Sequence, residues 1–406
     1  MNLRPAPEHR ELARVLRAFF ASTNAAGEAR ACLDDPGRGE LLWKRQCQEL
    51  GLAGLAVPES LGGQGFGVSE LAVACEEAGR ALAGGPFFAS ACLAASVVDR
   101  VGESGFRARA LAAIGGGATA ALALREPGAE PDLDEVRLRA TVAGDGAHVL
   151  TGVKVDVIGA LTAELLLVVA LGPAGRPALY SVRRDDPGVR VTAAESLDAS
   201  RPVADLRLDA VRAVHVGTDD AGGEGFRTAL EIARTCLAAE AVGAADRCLE
   251  RTLEHVTARH QFGRPVGAFQ ALQHRCVDVL VATELARHGV RYATAVLSGA
   301  AGDAVLAASL ASAAALDALA LAAAEDIQMH GGMGVAWESD AHLYFRRSVA
   351  VTSLLGTAQW HRRRIAGRLT AEAQAAQAAQ AAQAAQAAQA AQAQVSSRRS
   401  GTPGQR

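Results

Sequence analysis

The apolar residues of this chain change their period twice, and that change constrains the fold more than any other feature. From Thr119 to about Val214 they come in short β-branched or Leu/Val-rich runs: Ala121–Leu124, Val136–Val142, His148–Leu150, Leu165–Ala170, Ala178–Val182, Val189–Thr192 and Ala204–Leu208. Turns containing Gly, Pro or Asp divide them at intervals of roughly ten residues, the spacing of an antiparallel sheet or small barrel. On both sides the period is helical. Leu12, Val15, Leu16 and Phe19 recur along one face, as do Leu41, Leu42, Cys47 and Leu50. The helix expected over Val68–Leu82 stops at Gly84-Gly85-Pro86. From Phe226 to Leu369 long helices return, Ala-rich between Ala300 and Ala324, where small side chains allow close packing.

The expected fold is therefore mainly α with a central β-domain. A helical domain spans 1–117, the β-domain 118–214, a helical bundle 215–370 and a low-complexity tail 371–406. The tail repeats Ala-Ala-Gln as far as Gln394. Ala and Gln favour helix, but no large side chains make a face to dock, so the tail is expected to fray and to carry no chemistry.

Composition excludes several classes. A net charge of −3 over 406 residues gives no reason to expect nucleic acid or an anionic membrane as partner. The seven cysteines (Cys32, Cys47, Cys75, Cys92, Cys236, Cys248 and Cys276) are odd in number and scattered, and no Cys-x-x-Cys occurs. Neither a disulfide framework nor a zinc site is indicated. The first residues lack the pattern of a signal peptide, and Ala313–Ala324, interrupted by Asp317, reads as buried helix rather than membrane span. A cytoplasmic protein is expected.

Two stretches of the C-terminal half carry chemistry. Arg259 to Gln270 reads Arg-His-Gln-Phe-Gly-Arg-Pro-Val-Gly-Ala-Phe-Gln, and Gln328 to Gly334 reads Gln-Met-His-Gly-Gly-Met-Gly. Alone, the first is an interhelical turn and the second a helix C-cap. Together they offer an Arg fork suited to phosphate oxygens and bare backbone that a bound group can approach. That combination suits a diphosphate bearing an aromatic base.

In this order and spacing the two stretches resemble the acyl-CoA dehydrogenase family. Pro58-Glu-Ser-Leu-Gly-Gly-Gln-Gly65 and Gly356-Thr-Ala-Gln359 add to the likeness, which spans roughly residues 8 to 369. It implies that fold and FAD as cofactor. By the same likeness Arg259, Gln261, Phe262, Gly263, Phe269, Gln270, Gln328, Gly331, Gly332 and Gly334 hold the pyrophosphate and adenine of a neighbouring subunit's FAD. Thr357 and Gln359 reach the chain's own FAD; a locally capped helix N-terminus is the plainer reading of that pair, and the two are compatible.

Other positions depart from the family pattern. Arg125 replaces a Thr before Glu-Pro-Gly, and Pro131 stands where a Ser is usual. The aromatic-Ile-Thr/Ser triplet that lies against the flavin ring reads Asp156-Val157-Ile158. The carboxylate that takes the substrate's α-proton is absent from both of its family positions, now Leu355 and Ala233. Glu231, two residues from Ala233, is expected on the opposite helix face, and Glu338 and Asp340 at a surface or interface. No catalytic residue is named. The resemblance implies a base-lacking subunit that completes the FAD site of a homologous subunit. It is similar to the α2β2 acyl-CoA dehydrogenases of bacterial steroid catabolism, in which a vacated pocket leaves room for a bulky acyl group of the acyl-CoA substrate. Arg125 and Asp156 can instead pair and close that pocket. An autonomous flavin monooxygenase and a non-enzymatic scaffold of the same fold are the alternatives.

Overall fold

Among the described residues six α-helices precede the first strand: α1 (Pro7–Ser22), α2 (Ala25–Ala31), α3 (Gly39–Leu50), α4 (Val68–Arg80), α5 (Ala95–Val101) and α6 (Ser104–Gly115). The computed structural model describes residues 3–23, 25–35, 38–218 and 223–399. α4 starts where expected, with the Glu70 carboxylate accepting the Gly67 N–H at 2.9 Å. It ends two residues early, and Leu82 then takes a left-handed backbone (φ 52°).

Seven strands follow: β1 (Ala120–Ala123), β2 (Ala140–Val142), β3 (His148–Ile158), β4 (Leu165–Leu171), β5 (Pro177–Val182), β6 (Val189–Ala193) and β7 (Val203–Thr218). Their order is β1-β4-β5-β7-β3-β2, with β6 also on β7. The sheet is mixed rather than purely antiparallel, because β1 pairs with β4 in parallel. A parallel pair needs a long crossover, and the β2–β3 hairpin lies within that connection. β3 and β7 both run well past the apolar segments that announced them. In β3 the cause is polar residues inside a real strand, above all the fully buried Lys154. The sheet has its own core around Leu150, Val168, Tyr180, Leu206 and Val211.

The C-terminal half comprises α7 (Glu224–Ala258), a hairpin of β8 (His260–Gln261) and β9 (Arg264–Pro265), α8 (Gln270–Leu297), α9 (Ala304–His330), α10 (Ala341–Ala350) and α11 (Ala358–Arg399). One hydrophobic core joins the helices of both halves. α7 is buried on every side through its middle, and α4 crosses it at backbone contact. A Cβ on Gly79 would land on the Glu240 carbonyl, and one on Gly243 on the Glu76 carbonyl. α9 is long and apolar enough to cross a bilayer, yet 56% of its most apolar window is buried inside the protein. α11 does not fray where expected; it continues through Arg399. Its first turn is already docked by Trp360 and His361, so nucleation is complete and Ala and Gln only propagate it. The final seven residues of the tail lie outside the described residues.

Candidate functional site

α7 and α9 end side by side. The rings of His255 and His330 lie tilted by 33° with centroids 4.2 Å apart, and one turn back Arg251 pairs with Asp326 at 3.1 Å. Both sequence stretches therefore emerge at one end of the bundle, although the whole of α8 separates them along the chain. After Arg259 the chain makes a tight hairpin, with Phe262 (φ 54°) and Gly263 (φ 73°) both left-handed at its tip. Phe262 is 89% exposed. Behind it Phe269 meets Phe262 edge to face at 6.1 Å, and the Arg264 guanidinium lies 4.1 Å over the Phe269 ring. α9 stops at Gly331, whose φ of 61° favours glycine. Open space stands where side chains of Gly331 and Gly332 would project, whereas Gly334 is packed on the Ile327 carbonyl. Arg259, Gln261, Gln270 and Gln328 are exposed around this cradle. The result is an outward-facing clasp of donors, bare backbone and an aromatic platform.

Arg125, Pro131, Asp156, Ile158 and Leu355 line a chamber between the sheet and the start of α11, and this chamber is closed. Arg125, just past β1, donates to Asp156 at 2.5 Å, to the Ser353 carbonyl at 3.2 Å and to the Ala129 carbonyl at 2.9 Å. Asp156 holds its end of this staple from a left-handed backbone (φ 53°). Deeper in, Arg234 donates to the Pro131 carbonyl and to Glu231, each at 2.7 Å. Arg364 donates to the same Glu231 at 2.5 Å, and the Trp360 ring lies 4.9 Å from the Arg234 guanidinium and 4.6 Å from that of Arg364. What remains between Leu93, Leu122, Ile158, Leu354 and Leu355 is a cavity of about 20 Å³, room for about one water.

One expectation changes here. The pocket is not vacated: the Arg125–Asp156 pair and the Arg234–Glu231–Arg364 cluster occupy it. Glu231, on the face of α7 roughly opposite Ala233, is buried too: it is 1% exposed and ion-paired on two sides, because α7 has no solvent face at this level. Asp340 keeps about a third of its side chain exposed and pairs with Arg30 at 2.5 Å and Arg251 at 3.7 Å. Ala233 and Leu355 are buried and carry no proton. Thr357 accepts the Trp360 N–H at 3.0 Å and caps α11, and Gln359 is exposed.

Two buried groups were missed in the sequence. Lys154 donates to Glu126 at 2.8 Å and to the Leu124 carbonyl at 3.0 Å, pinning the loop that carries Arg125. Burial lowers the Lys154 ammonium, while its bond to Glu126 helps hold that carboxyl below its usual range despite desolvation. A lysine inside a strand was the available signal. His361 lies next to the arginine cluster. Burial, with Arg234 and Arg364 adding to it, pushes its imidazole down to about 2. The folded chain thus refuses a proton that the unfolded chain accepts near pH 6.5. Stability should be complete above that pH and fall as pH drops below it. Urea midpoints measured between pH 7.5 and about pH 5 should show this slope, flattened in His361→Asn.

The comparisons with known proteins agree with this architecture. The model described as acyl-CoA dehydrogenase, N-terminal domain, matches residues 6–118, and that described as acyl-CoA dehydrogenase, C-terminal domain, matches residues 220–370. The acyl-CoA dehydrogenase IpdE2 of Mycobacterium tuberculosis is 33% identical over 86% of this chain and 93% of its own length. Among solved structures, a variant of the Tcur3481-Tcur3483 steroid ACAD is 32% identical with a TM-score of 0.79, covering 91% of this chain and 99% of that one. The ChsE4-ChsE5 complex from Mycobacterium tuberculosis is 25% identical with a TM-score of 0.80, over 91% and 99%.

Proposed function

Since the chain belongs to the acyl-CoA dehydrogenase family, we propose that it is the lending subunit of a two-chain, FAD-dependent acyl-CoA dehydrogenase. In this reading it supplies the clasp for the dinucleotide end of a homologous partner's FAD, and the partner supplies the base and the substrate pocket. The observation that carries it is the contrast between the chain's two halves of a flavin site. The clasp is open, exposed and rich in donors, whereas the chamber for the chain's own ring holds about 20 Å³ and is stapled by Arg125 and Asp156. The residues present fit the pyrophosphate and adenine end of FAD; they do not fit the ring.

The roles follow from chemistry. Arg259 offers paired donors to phosphate oxygens, and Gly331 and Gly332 let backbone approach them. Phe262 and Phe269 offer aromatic surface. FAD held there would supply the hydride acceptor for α,β-dehydrogenation of an acyl-CoA thioester. Val277, Val281 and Leu285 recur four apart on α8 and are 52%, 60% and 67% exposed, an apolar stripe that a second subunit would cover. Of the solved structures like this chain, one is described as a complex and another as a steroid ACAD. This supports a two-chain assembly, which we take as α2β2, and a bulky, steroid-derived acyl group.

The test is Arg259→Ala in the co-expressed complex. Losing hydrogen bonds to a charged phosphate, about 1.5–3 kcal/mol, should weaken FAD retention by roughly ten- to a hundredfold. The two chains should still co-purify. Unchanged FAD retention would remove Arg259, and with it the lending role.

A further inference from the structure

Cys75, Cys92 and Cys236 are far apart in sequence, yet they meet in the interior. Their three sulfurs lie within 4.8 Å of one another, all three residues are buried, and Cys75 and Cys92 are 3.6 Å apart. The helix packing builds this cluster. α4 and α7 touch where Gly79 faces the Glu240 carbonyl, and one turn before each of those residues stand Cys75 and Cys236. Cys92 arrives on the π-helical segment Phe88–Ala94, a widened form of helix that recurs at functional sites. None of the three belongs to the clasp or the closed chamber.

We propose that these three thiols form a site for trivalent arsenic, taken up as arsenous acid. Three As–O bonds break and three As–S bonds form. Each hydroxyl leaves with a thiol proton as water, and no electron is transferred. Sulfur bonds of about 2.3 Å, the length thiolates make to zinc, place three sulfurs roughly 3.5–4 Å apart around one centre. The cluster is within about 1 Å of that arrangement.

By geometry alone a soft cation such as Cu(I) or zinc would fit equally. Charge decides against them. Three thiolates around a monovalent or divalent cation leave a net negative charge in an apolar interior, one turn from the Glu240 carboxylate. Glu240 is itself already committed to Arg201 and Arg347. An arsenic trithiolate is neutral.

Native mass spectrometry of the full chain with stoichiometric arsenite should show one arsenic gained and three hydrogens lost. X-ray absorption should find three sulfur neighbours and no oxygen. Cys236→Ala should weaken uptake by on the order of tenfold or more, because a third tethered ligand is lost. Cys248→Ala, which removes a thiol that is buried and outside the cluster, should not. No uptake by the folded chain, a two-sulfur, one-oxygen centre, loss in Cys248→Ala instead, or tighter retention of zinc or Cu(I) would each overturn the assignment. Should Cys236→Ala fail to fold, the absorption measurement on the unaltered chain decides.

Discussion

Expressed without a partner, the chain should purify colourless and oxidise no acyl-CoA, and Leu355→Glu should change neither result. The base position is the obvious target for repair, since a general base contributes about 10²–10⁴ in rate. A carboxylate at 355 has nothing to act on, however. The cavity in front of it holds about 20 Å³, and Arg125 is tied across its mouth to Asp156 and to the Ser353 carbonyl. A three-ring heterocycle cannot enter without breaking that staple and moving Arg234 off the Pro131 carbonyl. Flavin absorbance per chain and dye-linked acyl-CoA oxidation measure the outcome. A yellow, active lone chain would sink the closed-chamber reading. Co-expression with the base-bearing homologue should restore both signals, at one flavin for every two chains.

The second large effect concerns Glu231. Glu231→Gln should cost about 3–5 kcal/mol of stability, the range for breaking a buried ion pair by removing one partner. Arg234 is almost wholly buried and would lose its carboxylate, and Arg364 would lose the same one. Denaturant titration reads the loss. Activity of the assembled complex, per folded chain, should stay the same. A carboxylate working as a base would behave oppositely, with activity falling by orders of magnitude at nearly unchanged stability, so the pair of measurements separates a structural carboxylate from a chemical one.

Periodicity carried much of this fold in the sequence, and failed where burial was polar. The helix–sheet–helix succession followed from where period 3.6 gave way to period 2. The parallel β1–β4 pair did not, because strand direction depends on connections rather than on alternation. β3 was read as three residues because Lys154 and Asp156 interrupt it, and only the Glu126 carboxylate explains how a lysine can sit there. The clasp was legible because its glycines and its arginine are local signals. The closed chamber was legible only as missing parts. Sequence comparison could flag Arg125 and Asp156 as misfits, but that they bond to each other is a fact of the fold. Glu231 was legible as lying opposite Ala233, but not as buried, since α7 has no wet face at that level.

The unbroken run of α11 has a practical consequence for studying assembly. At about 1.5 Å per residue its 42 residues form a rod roughly 60 Å long. Its root is anchored by Trp360 beside the arginine cluster, while its far end lies at Arg399, some forty residues away. A fluorophore near that end would report on neighbouring copies over tens of ångströms without touching the clasp, turning a low-complexity repeat into a built-in ruler for counting subunits.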